Sequence, residues 1–102
     1  MGERTVTTDL DATTGVAVVE LEHAPANFFD LDLIRRIADA YADVGGDRRC
    51  RAIVLAAAGR HFCAGADFVD GPMSNEDLVR LYHEAARLFE VPVPVVAAVQ
   101  GR

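Results

Sequence analysis

Residues 51–57 read RAIVLAA, in which Arg51 is followed by an unbroken apolar run with two β-branched members and no polar alternation. A strand with one wet face alternates polar and apolar side chains; a strand covered on both faces does not. The run therefore predicts a strand buried on both faces, and its neighbours fit that picture. Residues 4–10 (RTVTTDL) and 16–22 (VAVVELE) are β-rich, and DATTG between them supplies turn residues, so a hairpin is expected. Pro25 lacks an N–H and restricts Ala24, which breaks the sheet. Asp30 is placed to cap a helix, with Asp32 adding charge at the positive end of its dipole. Ile34, Ile37, Ala38 and Tyr41 then share one helical face, and Gly45-Gly46 ends it.

A second helix is expected from Ser74, which opens SNED, a variant capping box. Leu78, Leu81, Tyr82, Ala85 and Phe89 mark its apolar side, and both tyrosines are assigned to the core. The VVAAV segment at 95–99 reads as another buried strand, with Pro92 and Pro94 ahead of it where no ladder donor is needed. The order is β-β-α-β-loop-α-β, an α/β pattern in a single domain. The last apolar run ends close to Arg102, an arrangement expected of the N-terminal portion of a longer domain.

Composition excludes several function classes. Ten Lys and Arg stand against sixteen Asp and Glu, a net charge of −6, so no basic stripe exists to displace counterions from a nucleic acid. The cluster DRRCR at 47–51 reads as a solvated turn. Cys50 and Cys63 make no disulfide framework, and the N-terminus has no apolar secretory region, so a cytoplasmic protein with reduced thiols is expected. No apolar run approaches the ~18 residues of a membrane span.

Chemistry is concentrated at 59–68, GRHFCAGADF, where the central strand exits. Cys63 with His61 or His83 is a poor nucleophile–base pair, because alternate residues of an extended segment point apart. Cys63 is read instead as a small packed hydrophobe. The histidines at 23, 61 and 83 and the cysteines at 50 and 63 lack paired ligand spacing, which argues against a metal. Asp67 is read as fixing the loop through backbone N–H groups rather than as a proton-transfer group. Small residues at such a corner let backbone and ligand approach closely, and a helical turn beyond them would turn free N–H groups toward negative charge. Facing a thioester carbonyl, those groups would form half of an oxyanion hole.

The stretch G-R-H-F-C-A-G-A-D-F resembles the signature of the crotonase superfamily (enoyl-CoA hydratase/isomerase), G-x-x-F-S/C-A-G-A-D-L/F. The likeness extends in order along all 102 residues. Residues 22–30 (EHAPANFFD) resemble that family's early proline- and asparagine-bearing loop. Residues 47–59 (DRRCRAIVLAAAG) resemble its strand into the first oxyanion loop, and residues 91–101 (VPVPVVAAVQG) its P-V-I-A-A-V-x-G segment. The resemblance implies a crotonase-like spiral of ββα units, of which this chain is the N-terminal portion, assembled as trimers or dimers of trimers. It implies an acyl-CoA thioester as substrate, with coenzyme A as part of that substrate and no separate cofactor. The backbone N–H of Ala66 would be the first oxyanion donor. Ala64, Gly65 and Asp67 would line the CoA path, and Ala24 and Ala26 would touch CoA through their backbone. Arg60 could approach the CoA phosphates or simply face solvent.

The family's second donor comes from a segment G-x-A-x-G-G-G that begins at the position of Gly101, and its two acidic residues lie further on. None of these is present in residues 1–102, so the chain alone is expected to be nearly inert. A non-catalytic paralogue that binds acyl-CoA, or joins a relative's oligomer, is the alternative. Residues 69–75 (VDGPMSN), rich in helix breakers, are the expected mobile lid. Helix 75–89 and strand 95–99 are expected to expose apolar surface, with association or partial disorder as the result.

Overall fold

The hairpin is set by its turn. In the computed structural model, which describes residues 4–65 and 74–101, Asp11 Oδ1 accepts from the Thr13 N–H at 2.9 Å, and the Gly15 N–H donates to the Asp11 carbonyl at 2.8 Å. Gly15 sits at φ +80, and a Cβ there would lie 2.8 Å from Arg51 Cγ and 3.0 Å from the Arg49 carbonyl. Only glycine suits both conditions. Strands β1 (Arg4–Asp11) and β2 (Val16–His23) then pair antiparallel, with Arg4 opposite His23 and Asp11 opposite Val16.

Helix α1 (Leu31–Gly45) starts where expected, since Asp30 Oδ1 accepts from the Leu33 N–H at 2.8 Å. Arg4 holds the same carboxylate from β1, its Nε 2.6 Å from Asp30 Oδ2. The helix returns the chain to β3 (Ala52–Ala57), parallel to β2, with Val16 beside Ala52 and Leu21 beside Ala57. A short β4 (Val95–Ala97) adds parallel to β3, giving the order β1-β2-β3-β4.

One face of this sheet carries the core. Ala17, Val19 and Leu21 of β2 and Ile53 of β3 are fully buried beneath Leu33, Ile37, Tyr41 and Val44 of α1. Burying a side chain such as Leu33 or Ile37 stabilises the fold by about 1.5–3 kcal/mol each. Helix α2 (Asn75–Arg87) rests on α1 and, among the described residues, reaches no strand. Ser74 caps it by accepting from the Asp77 N–H at 3.1 Å. Arg87 spans the helix pair, 2.8 Å from Asp39 and 2.6 Å from Glu84.

Several expectations need correction. Among the described residues, no helix covers the sheet face away from α1, so Val54 and Ala56 of β3 are only half-buried. Strand β4 is a three-residue edge with Val96 exposed, not a buried strand. No residue of α2 is buried, and Tyr82 is 68% exposed because the helix has one neighbour and turns that side away from it. Cys50 is the packed cysteine; Cys63 is exposed. Gly46 caps α1 in right-handed geometry, at φ −81, without the left-handed turn that glycine permits.

Candidate functional site

Three chain segments meet where β3 ends. The first is the loop after β2. His23 is buried, its N–H donating to Asn27 Oδ1 at 2.7 Å while its carbonyl accepts from the Asn27 N–H at 2.8 Å. His23 Nδ1 lies 2.7 Å from the Phe28 carbonyl, which can only accept, so Nδ1 carries the proton. Asn27 adopts φ +55, a conformation asparagine tolerates better than most residues.

The second segment is the strand exit, 58–65. Asn27 Nδ2 donates to the carbonyls of Ala58 at 2.8 Å and His61 at 2.6 Å. The two loops are also joined through their backbones. The Ala64 N–H donates to the Ala26 carbonyl at 3.1 Å, and the Phe29 N–H to the Gly65 carbonyl at 2.8 Å. Phe62 packs against the core and anchors the middle of the turn.

The third segment follows β4. The Phe62 N–H donates to the Gln100 carbonyl at 3.3 Å, and Gln100 Nε2 donates to Ala57 at 2.7 Å and Gly59 at 3.2 Å. Gly101, at φ +93, lies so close that a Cβ would sit 2.5 Å from the Arg60 carbonyl. Any side chain there must displace the turn.

The sequence-derived site residues are thus partly assembled. Ala24, Ala26, Ala64 and Gly65 lie on the two joined loops, with the Ala26 carbonyl and the Ala64 N–H engaged by each other. Arg60 is exposed at the turn. Ala66, Asp67 and most of the expected lid fall on 66–73, outside the described residues, as does the helical turn expected after Gly65. The sequence reading did not single out Asn27 as a hydrogen-bonding residue, nor Gln100 at all. For Asn27, the only local signal is an asparagine two residues after a proline at a strand end. Among the described residues, no group of three or more His, Cys, Asp and Glu side chains is arranged to hold a metal ion.

The model of the family described as enoyl-CoA hydratase/isomerase matches residues 11–102. The chain is 33% identical over 93 residues to (7aS)-7a-methyl-1,5-dioxo-2,3,5,6,7,7a-hexahydro-1H-indene-carboxyl-CoA hydrolase of Mycobacterium tuberculosis, covering 85% of this chain and 38% of that protein. It is 32% identical over 84 residues to 1,2-epoxyphenylacetyl-CoA isomerase of Escherichia coli, covering 74% and 32% respectively. The crystal structure of an enoyl-CoA hydratase from Mycobacterium smegmatis superimposes with a TM-score of 0.72 at 28% identity, over 95% of this chain and 40% of that one. The chain therefore spans well under half the length of the relatives it matches.

Proposed function

Because this chain belongs to the enoyl-CoA hydratase/isomerase family, we propose that it forms the thioester-reading corner of an enzyme acting on acyl-CoA. In this reading the β3 exit holds an acyl-CoA thioester oxygen against the backbone N–H of Ala66, the first donor of an oxyanion hole. Such a donor stabilises the enolate-like charge that develops on that oxygen. The early loop, through the backbone of Ala24 and Ala26, and the turn at Ala64, Gly65 and Asp67 line the CoA path, with Arg60 placed near its phosphates.

One observation carries the reading: the Gly65 carbonyl is anchored by the Phe29 N–H at 2.8 Å. A trans peptide holds its C=O and its N–H on opposite sides. Anchoring that carbonyl restrains the peptide unit to which the proposed donor belongs, and this supports the reading. The segment at Gly101, where the resemblance begins the second donor loop, packs on the same turn. Trimeric or hexameric assembly and a cytoplasmic location belong to the same proposal. Among the described residues, no helix is long and apolar enough to cross a membrane.

The two relatives are named for different activities on acyl-CoA compounds, one a hydrolase and one an isomerase, so the proposal is confined to the substrate class and the oxyanion chemistry. Hydration of a 2-enoyl-CoA is the first reaction to assay and double-bond isomerisation the second. Calorimetric titration of the 102-residue chain with a short 2-enoyl-CoA and with free CoA tests it. Tighter binding of the thioester is expected, because only the thioester presents an oxygen to the donor. Equal affinity, or none for either, overturns the reading. Turnover by these 102 residues is expected to be negligible. Loss of one oxyanion donor costs about 10²–10³ in rate, and loss of an acid–base pair a further ~10²–10⁴.

A further inference from the structure

We propose that Asn27 and Gln100 are positioning residues: two carboxamides, reaching the end of β3 from separate loops, that hold four carbonyls between Ala57 and His61 and so keep rigid the turn that leads to the proposed donor. This rests on the function proposed above, in which that turn presents a donor to the thioester.

The two side chains act alike from different parts of the chain. Asn27 spends both hydrogens of its NH2 group on the carbonyls of Ala58 and His61. Gln100 spends both of its own on Ala57 and Gly59. Four carbonyls within five consecutive residues are thereby captured, and because each peptide unit is planar the base of the turn is fixed as one piece. Only a primary amide offers two donors on one planar nitrogen without charge. The orientation of Asn27 is fixed independently, because its oxygen already accepts from the His23 N–H at 2.7 Å.

Burial alone does not explain Gln100. Asn27 is 2% exposed and needs partners for its polar atoms. Gln100 is exposed, and water could satisfy it. Ordering a long side chain over two carbonyls costs rotamer entropy and brings little net stability. The arrangement gains a purpose if the turn itself must be held still. Gln100 also precedes Gly101, whose missing side chain lets this segment approach the turn, so one residue ties the turn to the segment that follows β4.

The test keeps shape and inverts the donor. Gln100→Glu places a carboxylate against two carbonyls; Gln100→Met removes the bonds without adding charge. In the full chain, both are expected to raise amide exchange across residues 58–65 by about tenfold, the effect of one or two lost hydrogen bonds on local opening. Exchange elsewhere should stay unchanged. Affinity for a 2-enoyl-CoA should fall about tenfold while that for free CoA stays within about twofold, since the donor contacts only the thioester. Acidification through the carboxyl range, near pH 4, returns a proton donor to Gln100→Glu. Its turn amide shifts should then approach those of the parent chain at the same pH, whereas Gln100→Met should not recover.

Unchanged exchange in both Gln100 variants overturns the proposal. So does an equal loss of affinity for thioester and free CoA, which marks a merely structural role. Asn27→Asp should act like Gln100→Glu; should it fail to fold, the exposed Gln100 decides. A parent chain with no preference for thioester over CoA defeats the functional reading instead, and the exchange data then judge the clamp by itself.

Discussion

Asp30 joins three parts of the molecule, and its titration should be visible in the stability of the whole. Burial raises its pKa, but the Arg4 guanidinium and the Leu33 N–H outweigh burial and hold it below the ordinary 3.8. A carboxyl whose pKa is lower folded than unfolded contributes its full stability above the unfolded value and loses it as pH falls through the folded one. Urea denaturation at about pH 5 and about pH 3 should therefore show a loss in the parent chain that is smaller in Asp30→Asn. Asparagine still caps, so that variant isolates the charge, whereas Asp30→Ala should cost about 0.5–2 kcal/mol at neutral pH. Asp47, lowered to about 2 by its hydrogen bonds from Arg49, titrates in both chains and cancels in the comparison. The two cysteines give a second residue-scale check. Cys63 is exposed and Cys50 is 6% exposed. A thiol reagent added to the native chain should modify one cysteine rapidly and the other only on unfolding. Cys63→Ala should abolish the rapid phase while leaving thioester binding unchanged, because the site uses backbone donors.

At the scale of elements, the sequence was readable wherever local chemistry decides. β-Rich residue types on either side of DATTG marked the hairpin of β1 and β2, the Asp30 and Ser74 caps marked both helix starts, and Pro25 marked the break between hairpin and helix. What stayed hidden depends on partners far along the chain. The Asn27 amide reaches carbonyls 31 and 34 residues away, and the Gln100 amide one 43 residues away. No window of local pattern carries those distances. The two failures of burial have the same origin. In α2, Leu78, Leu81, Tyr82, Ala85 and Phe89 share one face at helical spacing, but among the described residues only α1 lies beside the helix, and it covers the side of Leu81, Glu84, Ala85 and Leu88. The structure turns Leu88 toward the core and Tyr82 away from it. A pair of substitutions separates the faces. Ile37→Ala, in the fully packed α1 interface, should cost about 2–5 kcal/mol in chemical denaturation. Tyr82→Ser, on the exposed side of α2, should stay within about 0.5 kcal/mol of the parent. A comparable loss from Tyr82→Ser would mean that its ring is covered in solution.

For the molecule as a whole, the apolar surface left bare is the dominant physical fact. Val79 and Tyr82 of α2 and Phe89 just after it are 66%, 68% and 88% exposed, and Val96 and Val99 are 61% and 72% exposed at and beyond the β4 edge. Val18, Val54 and Val96 also occupy matching register positions on the sheet face that, among the described residues, no helix covers. Monomeric proteins seldom leave large apolar areas contiguous and wet, and a net charge of −6 supplies only a modest long-range repulsion between copies. Self-association of the 102-residue chain is therefore expected to rise with concentration. It should persist when salt screens the surface ion pairs, because its driving force is apolar area rather than charge. Light scattering coupled to size exclusion should show a mass that grows across a concentration series. Tyr82→Lys together with Phe89→Lys should shift that growth to higher concentration while leaving the helical circular dichroism intact, since neither side chain is buried. A monodisperse monomer with a sharp two-state melt over the same range would mean that these side chains find cover within the chain itself.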